Sequence, residues 1–274
     1  MTVPAVELNN GIAMPQLGLG LAKVPNDQAA ATVLAAFEAG YRSLDTAAEY
    51  GNEEGVGAAI ARSGLPRSEL FVTTKLRNVD HGRTATLQGV SDSLKRLGLE
   101  QLDLYLIHWP VPARDLYVET WRAMEELYAA GLTRAIGVCN FEPGHLTRLL
   151  GESSVVPAVN QFELHPRLQQ HALSRFDDDH GIRTEAYSPF AKARTLAEPA
   201  LAGLAAQRGV TAAQLVLRWH LQLGRIVIPK SANPARMREN LAALELAPLS
   251  QAELAVFASL DSGERIGADP ATYM

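Results

Sequence analysis

Residues 41–75 read YRSLDTAAEYGNEEGVGAAIARSGLPRSELFVTTK. A short apolar run, Ser43–Asp45, gives way to a polar loop. A helical stretch follows over Asn52–Arg62, and a second apolar run covers Leu70–Lys75. A crossover helix returns the chain in its original direction, so the two runs are predicted to pair as parallel strands. The unit recurs on both sides. Further candidate strands are Leu17–Gly20, Leu102–Ile107, Ala135–Val138, Ala158–Phe162, Arg183–Tyr187 and Ile226–Ile228. Helical candidates such as Gln28–Ala39, Thr84–Leu97, Glu119–Ala130 and Gln169–His180 lie between them. Eight such units predict an α/β fold, a closed (β/α)8 TIM barrel, with an open doubly wound sheet as the alternative. Ahead of them VELNNGIAM (6–14) is two short alternating runs around Asn9-Asn10-Gly11, which accept positive φ and predict an N-terminal β-hairpin. Thr211–Leu223 and Gln251–Ser259 read as two extra helices, and the turn-rich tail 261–274 is expected to lie as a loop over one face. No linker or change of composition divides the chain, so a single domain over 1–274 is expected.

The 274 residues are 47% hydrophobic and carry a net charge of −5. A core can be buried, and weak acidity argues against nucleic acid or an anionic membrane as the main partner. The lone cysteine, Cys139, cannot form an internal disulfide, which fits a reducing compartment. The start MTVPAVELNNG lacks a basic region followed by an apolar core, and no apolar run approaches the length of a membrane span. A soluble, cytoplasmic protein is expected.

In a barrel of this kind the working residues sit at the C-terminal ends of strands. Asp45 ends the second strand, Lys75 the third in FVTTK (71–75), and His108 the fourth in LYLIHWP (104–110). Tyr50 lies in the loop behind Asp45. A phenol titrates near ~10 in water, and an adjacent ammonium is expected to lower that value. A carboxylate beside the lysine keeps the ammonium charged and in place. Such a set can protonate an oxygen that is gaining negative charge, while a neutral imidazole hydrogen-bonds it. Singly, each residue has a plainer reading: a helix cap, a solvated rim lysine, a core histidine, a loop aromatic. Jointly, four accidents would have to converge on one rim. Asp177-Asp178-Asp179-His180 reads as a solvated helix face, His165 and His171 match no zinc spacing, and no metal site is expected.

The usual dinucleotide fingerprint is missing, because Gly18-x-Gly20 is followed by Lys23 where a third glycine would stand. A barrel has another place for phosphate, after its last strands at a helix N-terminus. IPKSANPARMREN (228–240) fits it: Asn233 is a plausible N-cap, Pro234 suits the first helical position, and Arg236 in the first turn opposes the helix dipole unless an anion is bound.

GYRSLDTAAEYGNEEGVGAAI (40–60), VTTK (72–75) and LYLIHWP together resemble the signature segments of the aldo-keto reductases. GVCNF (137–141), NQFELHP (160–166) and the 228–240 segment extend the resemblance over essentially the whole chain, and it is greatest to the bacterial branch containing the 2,5-diketo-gluconate reductases. The resemblance implies NADPH/NADP+ as cofactor, Tyr50 as general acid, Lys75 and Asp45 as its tuning pair, and His108 as the group that orients the carbonyl. It also implies that Lys230, Ser231 and Arg236 hold the 2′-phosphate side, with Glu239 and Asn240 facing the adenine. Asn140 and Gln161 would meet the carboxamide, and Tyr187, followed by Ser188, would stack on the nicotinamide. Cys139 stands where the family often has Ser. Ala22, Arg77 and Trp109, with Tyr50 and His108, are the candidate substrate contacts. Ala22 and Arg77 replace aromatic residues, and short loops suggest a shallow pocket suited to small aldehydes, α-dicarbonyls or keto-sugars. A monomer acting on a small carbonyl compound is expected. A nucleotide-binding barrel without turnover and a Schiff-base lyase using Lys75 are the competing readings.

Overall fold

The computed structural model describes residues 3–273. Strands β1 (Ala5–Glu7) and β2 (Ala13–Pro15) form an antiparallel hairpin whose turn contains Gly11 at φ 81°. Eight parallel strands follow: β3 (Leu19–Gly20), β4 (Ser43–Asp45), β5 (Phe71–Leu76), β6 (Leu104–Ile107), β7 (Ile136–Cys139), β8 (Val159–Glu163), β9 (Arg183–Tyr187) and β10 (Ile226–Val227). Each pairs with its sequence neighbour. The ring closes between the first and the last, because Gly18 N–H donates to Val227 O at 3.0 Å and Val227 N–H to Gln16 O at 2.9 Å. That closure excludes the open doubly wound sheet. It also requires glycine at position 20, where a Cβ would lie 2.8 Å from Ile228 O.

Helices α1 (Asn26–Ala39), α2 (Glu53–Arg62), α3 (Arg83–Leu97), α4 (Tyr117–Ala129), α5 (Pro143–Glu152) and α6 (His171–Asp179) connect successive strands β3 to β9. Both α7 (Pro199–Arg208) and α8 (Ala212–Gln222) precede β10, and α9 (Pro234–Ala242) and α10 (Gln251–Ser259) follow it. Two more helices than a plain (β/α)8 barrel needs are therefore present, as the sequence predicts. No helix of the described residues is long and apolar enough to cross a membrane.

Alternation along each strand sorts side chains into two cores. Tyr105 and Ile107 of β6 pack outward under the helices, in one cluster with Val72, Val138 and Phe162. Leu104 and Leu106 of the same strand face inward with Phe71, Val159 and Ile226. Leu8 and Met14 of the hairpin belong to this inner cluster, so the hairpin plugs the lower end of the barrel. Asn9 and Asn10 fasten it there through side-chain bonds to the carbonyls of Pro157 and Arg134, both at 3.0 Å. Only the upper end is left open. The acidic run at 177–180 departs from expectation at one residue. Asp177 is fully buried and accepts hydrogen bonds from Asn160 (3.3 Å) and Thr184 (3.2 Å), because its turn of α6 faces the sheet.

Candidate active site

Three adjacent strands carry Asp45, Lys75 and His108 to the open end. Lys75 is the most enclosed, with a side chain 0% exposed. Its ammonium donates to Asp45 Oδ1 at 2.6 Å and to the Thr46 carbonyl at 3.0 Å. An ammonium has three N–H donors, so one remains for the Tyr50 ring above, whose centroid is 5.2 Å away. The other Asp45 oxygen, Oδ2, accepts from Gln161 Nε2 at 2.8 Å.

Tyr50 ends a short 3-10 turn, Ala48–Tyr50, closed by Gly51 at φ 64°. The next residue holds this turn in place. Asn52 is completely buried, donates to the carbonyls of Leu21 (3.0 Å) and Val24 (2.9 Å), and accepts from Thr46 Oγ1 at 2.6 Å. The loop carrying the phenol is thereby tied to β3 and β4. The His108 ring meets the Tyr50 ring edge-on, with centroids 5.7 Å apart and planes at 76°.

The electrostatics differ from the sequence expectation in one sign. Burial pushes the Tyr50 phenol up to about 12, and Lys75 opposes the shift without cancelling it. The phenol thus keeps its proton at neutral pH. Burial, joined by the Lys75 charge, pulls His108 down to about 3, so its imidazole is neutral. Burial works against the charge on Lys75 too, but Asp45, Tyr50 and Cys139 outweigh it and hold the ammonium above its ordinary range.

A cavity of about 310 Å³ opens over these groups, with Trp109, Asn140, Gln161 and Tyr187 also in its wall. Asn140 takes a left-handed φ of 63°, donates to the His108 carbonyl at 3.0 Å and accepts from the Tyr187 hydroxyl at 2.8 Å. Both N–H groups of the Gln161 amide are engaged by carboxyl groups, Asp45 and Glu185. Asn140 and Gln161 therefore offer a ligand mainly acceptor oxygens, the form in which a carboxamide NH2 would be met. Cys139 is fully buried beneath them.

A second cleft, of about 560 Å³, continues from the first and shares with it Ala22, Lys23, Ser188, Lys192 and Lys230. Its far end holds Ser231, Arg236, Glu239 and Asn240. Lys23, Lys192, Lys230 and Arg236 set four cations against one carboxylate there, and Glu239 is already bonded by Thr211 Oγ1 at 2.7 Å. Asn233 caps α9 as predicted, accepting from Ala235 N (2.8 Å) and Arg236 N (3.2 Å). An elongated cleft with this balance fits a phosphorylated dinucleotide. Lys23 and Lys192 were not singled out from the sequence. Both follow strand ends, which was the available signal.

Arg77, read from the sequence either as a substrate contact or as a solvated rim residue, stands on the rim. Its guanidinium forms a fork on Asp80 (2.7 and 3.1 Å), and it lies in a separate polar cleft with Glu53, Glu54 and Arg96 rather than in the catalytic cavity. The tail, expected to lie over one face, forms a further wall of the pocket. Tyr273 packs on Trp109 with ring centroids 4.2 Å apart, and Gly267 and Ala268 of the tail line the cavity. Fully buried Glu163 holds the tail, accepting from the N–H groups of Ile266 at Oε1 and Gly267 at Oε2, both at 2.7 Å, with His165 Nε2 3.0 Å from Oε1. A Cβ on Gly267 would lie 2.6 Å from Glu163 Oε2, so a carboxylate also held by Ile266 N–H and flanked by His165 would have to shift. Gly267→Ala is expected to loosen the tail. Losing about 1.4 kcal/mol of anchoring would speed trypsin cleavage after Arg265 by about tenfold; unchanged cleavage would mean that the carboxylate yields.

The Aldo/keto reductase family model matches residues 11–262. The chain is 49% identical to an aldo-keto reductase of Mycobacterium sp. (strain KMS) over 273 residues, covering 100% of this chain and 99% of the relative. It is 48% identical to methylglyoxal reductase DkgA of Escherichia coli (strain K12) over 267 residues, 97% of this chain and 96% of that one. The crystal structure of a Gox0644 variant in complex with NADPH superposes with a TM-score of 0.96 at 44% identity, covering 100% of both chains. The chain belongs to the aldo/keto reductase family.

Proposed function

We propose that the chain is an NADPH-dependent carbonyl reductase that converts small aldehydes and α-dicarbonyls into alcohols. The observation that carries this reading is the fully buried Lys75–Asp45 pair beneath a protonated phenol and a neutral imidazole, where a cationic cleft meets a small cavity. Arg236, Lys230 and Ser231 would hold the 2′-phosphate, Glu239 and Asn240 the adenine, and Asn140, Gln161, Tyr187 and Ser188 the nicotinamide end. NADPH, when bound, supplies the hydride. Neutral His108 hydrogen-bonds the carbonyl oxygen and sets its direction. Tyr50 gives that oxygen its proton as negative charge develops, and the Lys75 ammonium stabilises the phenolate left behind. Asp45 keeps the ammonium in place.

The charged, enclosed state of Lys75 runs against the lyase alternative, since a Schiff base needs a neutral amine. A cavity of about 310 Å³ favours a small substrate. The relative named as a methylglyoxal reductase supports an α-dicarbonyl, and the sequence resemblance to the 2,5-diketo-gluconate reductases keeps keto-sugars in the test set. We read the chain as one barrel domain over residues 1–274, acting as a cytoplasmic monomer on a small molecule rather than on nucleic acid. NADPH oxidation should be followed with methylglyoxal, simple aldehydes and keto-sugars. Turnover with at least one is expected; tight NADPH binding with no turnover on any of them would favour a binding protein. Arg77→Ala is expected to leave unchanged the ratio of kcat/KM for a keto-sugar acid to that for a neutral aldehyde. An exposed ion pair such as Arg77–Asp80 is worth about 0–1 kcal/mol and does not reach the cavity. A tenfold fall in the ratio would put the guanidinium in the substrate site.

A further inference from the structure

Glu185, in the middle of β9, has no surface exposed to solvent. Its Oε2 accepts from Gln161 Nε2 at 2.9 Å, and its Oε1 has no hydrogen-bond partner among the described residues. The same amide nitrogen donates its second hydrogen to Asp45 Oδ2 at 2.8 Å, and Asp45 Oδ1 lies 2.6 Å from Lys75. A chain of contacts thus runs from Glu185 through Gln161 and Asp45 to Lys75, and ends under the Tyr50 ring.

The enclosure contains one cation and two carboxyl groups. Asp45 reaches it from β4, Lys75 from β5, the Cys139 thiol from β7 and Gln161 from β8. Strands β6 and β10 add only Leu104, Leu106 and Ile226 to the interior cluster. On β9 itself, Arg183 reaches away to the Glu7 carbonyl at 2.9 Å, and Tyr187 bonds Asn140. Among the described residues no second cation faces Glu185. An ionised carboxylate with an orphan oxygen in such a place would be strongly disfavoured.

We propose that Glu185 is a positioning residue whose neutral carboxyl, acting through Gln161, fixes Asp45 on Lys75 and leaves Asp45 as the one negative charge that this ammonium answers. The inference rests on the reading of Tyr50 as proton donor. Burial raises Glu185 to about 8, with Asp45 adding to the effect and Gln161 and Lys75 opposing it. Above that pH a second carboxylate competes for the same amide and the same ammonium. The phenol then faces a less positive neighbour and releases its proton less readily. Reduction should therefore slow in mild alkali. Tyr50 at about 12 and His108 at about 3 titrate too far away to produce that limb.

Glu185→Gln is the isostere of the neutral acid, and Glu185→Leu removes the acceptor. Both should be compared with the native chain in NADPH-dependent reduction of methylglyoxal from about pH 6 to about pH 10. The Gln variant is expected to keep most of its kcat/KM near neutrality, with its alkaline decline displaced upward by about one unit or more. The Leu variant should lose about tenfold at every pH. An alkaline limb in the Gln variant identical to the native one would overturn the proposal, and so would equal damage in the two variants. Thermal unfolding gives a readout independent of turnover. The folded value lies above the unfolded one, so between about 4.5 and about 8 the native state binds the extra proton. The stability from native Glu185 is then complete below the unfolded value and is lost as pH rises through the folded one. The Tm difference between the variants and the native chain should shift in the Gln variant's favour across that window; a constant difference counts against the proposal. Absence of reduction by the native chain would remove the reading of Tyr50 instead, and the Tm series would still decide where the proton resides.

Discussion

Tyr50→Phe is expected to lower kcat for carbonyl reduction by about 10²–10⁴-fold, the usual contribution of a general acid. NADPH affinity should be largely unchanged. The substitution keeps the ring, its edge-on contact with His108 and its place over the Lys75 ammonium, and only the hydroxyl is lost. The buried Lys75–Asp45 pair stays intact, so the fold is not asked to hold an uncompensated charge. His108 cannot take over as general acid, because at about 3 it is a neutral imidazole at neutral pH, and its remaining N–H can hydrogen-bond the oxygen but is far too weak an acid to be given up. Single-turnover reduction at saturating NADPH, with the Kd measured by cofactor fluorescence, separates the two quantities. A variant that retained substantial turnover would sink the assignment of Tyr50.

The parts of this machinery that were legible in the sequence are those set by local rules. Ser43–Asp45 and Arg183–Tyr187 form strands with the predicted limits, and other strands shift by a residue or two. Once parallel pairing is granted, Asp45, Lys75 and His108 must emerge on one rim, because each ends its strand. Asn233 and Pro234 likewise announce the start of α9. What was illegible depends on contacts far apart in sequence. The sign of the Tyr50 shift follows from how deeply the finished site encloses the phenol, and no pattern near residue 50 carries that information. Glu163 anchors Ile266 and Gly267 from about a hundred residues away. Glu185 looks like any polar residue in an alternating strand, until β4 and β8 bring Asp45 and Gln161 beside it. Arg77 was left open between pocket and rim by the sequence, and Asp80, three residues on, holds it locally on the rim.

Arg236→Ala is expected to weaken NADPH binding by roughly 10- to 100-fold and to leave NADH almost unaffected. The guanidinium is exposed, stands in the first turn of α9, and makes no ion pair among the described residues. No acidic residue occupies that turn, so the cation sits unscreened against the positive end of the helix dipole, at a cost of about 0.3–1 kcal/mol. A phosphate would reverse the sign of this arrangement: it is favoured by the dipole and can take two parallel bonds from the guanidinium. Charge-assisted hydrogen bonds contribute about 1.5–3 kcal/mol, which corresponds to the expected range of affinity loss. Alanine is the better helix former and removes the opposed charge, so Tm should hold or rise slightly. Arg236→Lys, which keeps the charge and loses the fork, should fall between the two. Titration of each variant with NADPH and NADH at one fixed salt concentration decides the matter. An equal loss for both cofactors would move Arg236 from the 2′-phosphate to a structural role in the cleft, and a falling Tm would point the same way.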